Sequence, residues 1–461
     1  MGDERTEPRA AAAHRAVEAV WRIESARLIA GLARIVRDVG LAEDLAQDAL
    51  VAALERWPET GVPEKPGAWL LTTARRRAID QFRRRTLHDR REDALGAEIL
   101  ARLTATAPDP DAALDDPFGD DVLRLMFIAC HPVLAREARV ALTLKLVGGL
   151  STSEIARAFL VPEATLAQRI VRAKRALAES GVPFEVPRGP ALADRLASVL
   201  EVIYLVFNEG YSATAGDDWV RPALCEDALR LGRILAELLP KEPEVHGLVA
   251  LMEIQASRLR ARVGPSGEPV LLLDQDRARW DQLLIRRGLA ALARAESLGS
   301  QSRAERGRAF GPYALQAAIA ACHARARTAD ETDWARIAAL YDALAELAPS
   351  PVVELNRAVA VAMAFGPAAG LEIADALRDE PSLGSYHLLP AVRGDFLMKL
   401  GRFDEARTEL ERASSLTRNG RERELLLERA ASCARAIAGR SADTAADGMT
   451  TGGDGAGAAP G

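Results

Sequence analysis

Apolar residues recur along this chain three and four positions apart, the spacing of a helix with one buried face. Between residues 69 and 85, Leu71, Ala74, Ala78 and Phe82 fall on one stripe, which Ile79 widens. Leu166, Ile170, Ala173 and Leu177 repeat the pattern from about Glu163, and Ile155, Ala156 and Phe159 form a shorter inward face before them. No alternating run rich in Val, Ile, Thr and Tyr reaches strand length. The pattern predicts an all-α chain. The weight of Ala, Leu and Arg, all good helix formers, and the 5% aromatic content agree with it.

Breaks in the pattern divide the 461 residues, for which length alone suggests about three domains. Residues 10–91 read as one small helical domain ending in a basic stretch. Residues 92–118 contain "TAPDPDAALDDPFGD", whose prolines and aspartates mark a flexible acidic linker. Residues 119–180 form a second small helical domain. After "SGVPFEVPRGP", residues 191–438 are helix after helix, and the low-complexity tail 439–461 is expected to be disordered. Within the last helical block Gly366 and Gly401 each separate two helical patterns, and Gly394, Gly401, Phe403, Ala406, Leu410 and Ala413 fit tetratricopeptide spacing. Two such repeats are fewer than the three or so an independent array needs, so upstream helices are expected to complete the core.

Other classes find little support. The charged N-terminus, "MGDERTEPRAAAAHR", is not a signal peptide. The longest apolar run, Ala358 to Leu371, is broken by Gly366–Pro367 and falls short of the ~20 residues of a membrane helix. Cys130, Cys225, Cys322 and Cys433 lie far apart without CxxC pairing, which argues against disulfides or zinc and for a reducing cytoplasm. The sequence has no HExxH, phosphate-cradling glycine loop or GxSxG, and the neighbours Cys130–His131 and Cys322–His323 read as buried residues rather than dyads. No catalytic residue, metal, cofactor or membrane partner is expected.

Charge changes the picture. The chain is acidic, at a formal −6, yet residues 69–91 hold eight arginines against Asp80 and Asp89. A helix so charged repels itself unless a polyanion neutralises it, and nucleic acid is the commonest partner for such a patch. The plainer alternative is a solvated face, although such faces usually mix signs. A second signal is "LSTSEIARAFLVPEATLAQRIVRAKRAL" (150–177). Ser151 and Glu154 form a capping box that starts a helix. Val161–Pro162 interrupts it before the second helix. Thr165, Gln168, Arg172 and Arg175 line that helix opposite its buried side, flanked by Arg169 and Lys174. This is a helix-turn-helix arrangement, the alternative being an ordinary hairpin with a cationic outer helix. Leu160 stands at the turn where glycine is usual, so the backbone there must differ or bear strain.

In their order and spacing, "AEDLAQDALVAALERW" (42–57), "AWLLTTARRRAIDQFRRR" (68–85) and "STSEIARAFLVPEATLAQRIVRAKRAL" (151–177) make residues 10–180 resemble an extracytoplasmic-function sigma factor of bacterial RNA polymerase. Asp44, Gln47, Asp48, Val51 and Glu55 recur on one helical face, largely acidic, and the resemblance implies that this face grips the arginine-bearing clamp helices of core polymerase. It implies that the loop 58–67 and Trp69, Arg75, Arg76, Arg77, Arg83, Arg84 and Arg85 engage the minus-ten element, with Trp69 a wedge there or a core residue. Glu163, Thr165, Gln168, Arg169, Arg172 and Arg175 would read the minus-thirty-five element, this second domain also meeting the polymerase flap. The linker aspartates Asp109, Asp111, Asp115 and Asp116 would thread the cleft later filled by RNA.

Residues 191–438 resemble the fused tetratricopeptide-like domain of one subgroup, implying regulation through an intramolecular or protein contact. Its least generic stretches, "YLVFNEGYSATAGDD" (204–218) and "LLLDQDRARWD" (271–281), bring in Asn208, Glu209, Asp217, Asp218, Asp274, Asp276 and Trp280 as a ligand pocket or as satisfied polar groups at helix joints. The reading that follows is a cytoplasmic sigma factor that directs core polymerase to promoters. The alternatives are a free-standing helix-turn-helix regulator with a ligand-sensing helical-repeat domain, and a tetratricopeptide scaffold.

Overall fold

The computed structural model describes residues 6–86, 101, 118–187, 190–213, 218–306 and 310–450. They form eighteen α-helices, and among them an isolated bridge between Val263 and Pro269 is the only β pairing. None of the described helices is long and apolar enough to cross a membrane. The chain divides into two compact units, one of residues 1–207 with 226–240, the other of 208–225 with 241–461.

The first unit opens with α1 (Thr6–Val36), α2 (Val39–Thr60) and α3 (Pro66–Thr86). Asp38 caps α2 by accepting the Leu41 N–H at 2.9 Å. The small residues Ala42, Ala46, Ala49 and Ala53 line its buried inner side, and α2 packs on α1, where Ile29, Leu32 and Ala33 are buried in turn. The helix runs through Pro58 to Thr60, so the loop expected over 58–67 shortens to 61–65. Proline removes only its own N–H bond in that last turn. Buried Trp57 anchors the turn, and Gly61, at φ +85°, closes it on the Trp57 carbonyl.

Helices α4 (Phe118–Ala129), α5 (Arg136–Leu146), α6 (Thr152–Ala158) and α7 (Glu163–Ser180) complete the N-terminal half. Helix α4 packs on α1, where Asp121, fully buried, is held by Arg34 at 3.1 Å and by Arg124. A buried carboxylate needs such cations. The two N-terminal segments, separate in the sequence, thus lie in one compact unit. The unit also takes in much of α8 (Pro190–Tyr211) and α9 (Pro222–Leu238). Arg195 and Ser198 of α8 donate to the carbonyls of Phe127 and Cys130, each at 2.6 Å, satisfying acceptors that the end of α4 leaves open. The expected linker, with Asp109, Asp111, Asp115 and Asp116, lies outside the described residues apart from Ala101 and Phe118.

The second unit is a succession of helices: α10 (Pro243–Ala256), α11 (Gln282–Arg306), α12 (Pro312–Arg325), α13 (Trp334–Leu347), α14 (Pro351–Phe365), α15 (Pro367–Ala376), α16 (Leu388–Lys399), α17 (Phe403–Leu416) and α18 (Gly420–Thr450). From α12 onward each packs on the helices before and after it. Gly366 and Gly401, at φ +101° and +73°, turn the chain between α14 and α15 and between α16 and α17. Ala406, Leu410 and Ala413 are fully buried, and a Cβ on Gly394 would sit 2.8 Å from Leu410 Cγ, so only glycine lets α16 and α17 approach so closely. Upstream, Ile337, Leu344 and Ala360 continue the apolar core. The tail expected to be disordered from residue 439 is instead helical through Thr450. Its "SADTAAD" is rich enough in alanine to propagate α18, and residues 451–461 lie outside the described residues.

Candidate polymerase and nucleic-acid interfaces

On α2, Asp44, Asp48, Val51 and Glu55 are exposed and Gln47 half-buried, along one face opposite the alanine stripe. The one residue there that the helical spacing did not single out is Glu43. It is 2% exposed, within the inner stripe, and accepts Lys145 of α5 at 3.6 Å, Lys174 of α7 and the Gln47 amide at 2.5 Å. Lys174 also lies 3.5 Å from Asp44. A carboxylate among alanines needs cations from elsewhere in the chain. The flanking lysine of the second helix is therefore spent on α2 rather than turned to solvent.

On α3 the first arginine triplet splits. Arg76 is exposed, Arg77 lies 3.7 Å from Asp48, and Arg75 is only 8% exposed. Burial, with Arg34 nearby, pushes the Arg75 pKa below the ordinary guanidinium value. Arg75 follows the buried residues Leu71 and Ala74 in phase, so it belongs to the packed side and not to the DNA-facing set expected for it. The side chains of Arg83, Arg84 and Arg85 lie outside the described residues. Trp69 is half-buried, its ring 5.4 Å from that of Trp57 at a 67° tilt, an edge-to-face pair at the mouth of the short 61–65 loop.

In α6 and α7 the helix-turn-helix is built as its sequence requires. Ser151 accepts the Glu154 N–H at 3.1 Å, while Glu154 accepts the Ser151 N–H at 2.7 Å and Arg22 at 3.0 Å. Burial alone would raise the Glu154 carboxyl; the Ser151 and Arg22 bonds outweigh it and hold the pKa below the usual range. Leu166, Ile170, Ala173 and Leu177 are buried. Glu163, Thr165, Gln168, Arg172 and Arg175 are exposed and Arg169 half-buried, and Arg175 pairs with Glu179 at 2.6 Å. Leu160 takes φ +51°, so of the two alternatives, a different backbone or a strained one, the turn keeps the left-handed conformation and the leucine bears the strain.

The polar stretches of the extension are mostly occupied. Glu209 pairs with Arg221, Asn419 donates to the carbonyls of Ala213 and Asp218, and Asp276 caps a short turn by accepting the Ala278 N–H. Trp280 is buried, the Asn208 backbone carbonyl accepts the Ser212 N–H at 2.8 Å, Asp274 is exposed, and Asp217 lies outside the described residues. The four cysteines are buried thiols. Burial pushes Cys130 up to about 12, and burial with Arg258 and Arg277 pushes His323 down to about 3, so both neighbouring Cys–His pairs stay uncharged near neutrality. Among the described residues no group of His, Cys, Asp and Glu could hold a metal ion.

Comparison with known proteins agrees with this geometry. Residues 23–87 match Sigma-70 region 2, residues 124–177 match Sigma-70, region 4, and residues 195–296 match a family of unknown function, DUF6596. The uncharacterized protein R00370 of Rhizobium meliloti (strain 1021) is 46% identical over 393 residues, which cover 85% of this chain and 89% of that protein. Probable ECF RNA polymerase sigma factor SigI of Mycobacterium tuberculosis is 28% identical over 173 residues, 38% of this chain and 58% of that protein. ECF RNA polymerase sigma factor SigK of Mycobacterium ulcerans (strain Agy99) is 29% identical over 150 residues, 32% of this chain and 75% of that protein. No solved structure matches the chain. Two sigma regions in order, followed by a helical C-terminal part, place the chain in the extracytoplasmic-function sigma factors, which bind core RNA polymerase and promoter DNA to direct transcription initiation.

Proposed function

We propose that residues 10–91 carry both the polymerase grip and the minus-ten contact, that residues 119–180 read the minus-thirty-five element, and that residues 191–438 regulate the two. The observation that carries this reading is the exposed α2 face of Asp44, Gln47, Asp48, Val51 and Glu55. In it, carboxylates surround one exposed valine, a composition suited to arginine-bearing clamp helices with an apolar point of contact. Arg76 and Arg77, continued by Arg83, Arg84 and Arg85, supply phosphate contacts beside the 61–65 loop and Trp69, where an unstacked base finds an aromatic platform. Glu163, Thr165, Gln168, Arg169, Arg172 and Arg175 present polar and basic groups along α7, with the polymerase flap as a further contact of the same domain. The work is done in the cytoplasm, where core polymerase is, and is binding rather than bond chemistry.

Lys174 ties the two halves in this conformation. Docking at Asp44 competes with that pair, so grip on the polymerase and release of the promoter-reading helix are coupled. Binding of the full chain to purified core polymerase tests the reading. Reversing Asp44 and Asp48 to lysine abolishes association at moderate salt, while reversing Glu237, an acid on α9, leaves it intact. Equal binding by both variants contradicts it.

A further inference from the structure

The sequence stretch that joins α10 to α11 holds charges that the transcription reading does not use. A cleft of about 630 Å³ opens there, lined by Arg260, Val263, Ala278, Arg279, Trp280 and Asp281, all in the second unit. Arg260 and Arg279 are exposed, and among the described residues neither is paired with a carboxylate. The one lining carboxylate, Asp281, is committed to the start of α11, its Oδ1 accepting the N–H groups of Leu283 and Leu284 at 2.9 and 3.1 Å. Trp280 is 4% exposed, and its indole N–H has no acceptor among the described residues. A buried N–H left unsatisfied is costly and uncommon.

Around the Trp280 ring the charge is again positive. The guanidinium carbons of Arg277 and Arg258 lie 4.9 and 5.7 Å from its ring centre. Arg258 is 8% exposed. It donates to the Tyr211 hydroxyl at 2.6 Å and to Gln255, and its Nε has no partner. Arg262, with its guanidinium 3.8 Å over the Tyr211 ring, adds a third cation, and the desolvation of Arg262 and Arg277 lowers both pKa values. One buried and two half-buried cations, held mainly by aromatic faces and neutral oxygens with Glu331 acting on Arg277, leave a net positive potential, which a nearby low-dielectric wall focuses into the adjoining opening.

We infer that this cleft binds a small organic anion with a flat apolar body. Arg260 and Arg279 would grip its carboxylate or phosphate, and Val263, Ala278 and Trp280 would cover its apolar part. Guanidinium forks match both kinds of oxyanion, and the recess is large enough for a ligand of this size. The extension would then sense a metabolite through its own residues.

The test uses the full chain at constant ionic strength, with benzoate and adenosine monophosphate as the anionic probes and benzamide and adenosine as their neutral counterparts. Saturable quenching of tryptophan fluorescence is expected with at least one anion at millimolar concentration and not with its neutral counterpart. It should weaken at least tenfold in the double variant Arg260→Ala/Arg279→Ala. The quenching should also disappear in Trp280→Phe, and persist in Arg286→Ala/Arg294→Ala, a charge-matched double change on α11. Quenching that never saturates, that the neutral counterpart reproduces, or that the arginine double variant retains overturns the inference. Melting of each variant, followed by circular dichroism, separates lost binding from lost folding. If the double variant proves unfolded, a saturable ligand-induced shift of the Arg260 and Arg279 side-chain NMR signals in the unsubstituted chain decides in its place, and its absence overturns the inference.

Discussion

Lys174, on the second helix of the helix-turn-helix, closes an ion pair with Glu43, a carboxylate buried on the inner side of the helix whose outer side presents the acidic face. Lys145 approaches the same carboxylate at 3.6 Å. Removing Glu43 leaves two lysines facing each other, so Glu43→Ala is expected to cost about 3 kcal/mol in urea unfolding. Lys174→Met costs less, because Lys145 still neutralises Glu43. It also frees Asp44, and affinity for core polymerase is expected to rise about fivefold, equivalent to about 1 kcal/mol of released pairing. Unchanged affinity would show that the pair does not compete with docking.

The arginine triplet on α3 gives two opposite outcomes from adjacent residues. Arg76→Ala removes an exposed charge. Promoter binding by the holoenzyme is expected to weaken for every promoter alike, with the logarithmic salt slope falling by about 0.7–0.9. Folding stability should not change. Arg75→Ala is expected to leave the salt slope intact and to destabilise the fold by about 1–3 kcal/mol, since its side chain is buried. A titration of DNA affinity against salt, paired with denaturant melts, separates the two.

Leu160 bears left-handed backbone strain at φ +51°. Replacement by glycine relieves about 1–2 kcal/mol of that strain and adds about 0.5–1 kcal/mol of unfolded-chain entropy. The net expectation is a gain of about 0.5–1 kcal/mol, because the exposed leucine side chain contributes little packing. Differential scanning calorimetry should show the transition moved up by roughly 1–4 °C.

His323 is expected to couple the stability of the extension to pH. Its folded pKa, about 3, lies below the unfolded value, so the unfolded chain binds the extra proton. The stability that this difference contributes is fully present above the ordinary histidine value of about 6.5. It is lost as pH falls from there toward 3, by up to about 1.4 kcal/mol per pH unit. His323→Phe, which keeps a ring against Trp334, should flatten the pH dependence of melting between pH 6 and pH 4 (roughly the window set by those two values). An unaltered slope would place the acid sensitivity elsewhere.

Local rules made much of this molecule legible. Ser151 with Glu154, the stripe from Leu166 to Leu177 and the strained Leu160 each depend on residues within one or two turns, and the structure has all three. Arg75 was readable too, since Leu71, Ala74 and Ala78 put it in phase with the buried side. A run of three identical arginines masked that phase. What the spacing could not carry was non-local. The burial of Glu43 depends on lysines more than a hundred residues away, and the end of α4 is satisfied by Arg195 and Ser198 of a helix assigned by sequence to the extension.

Sigma activity itself is read by run-off transcription with purified core polymerase on a promoter selected with this chain. Specific transcripts should appear only when the chain is added, and should be lost when Asp44 and Asp48 are reversed to lysine. Transcripts of the same start and yield without the chain, or undiminished by that reversal, would contradict the account.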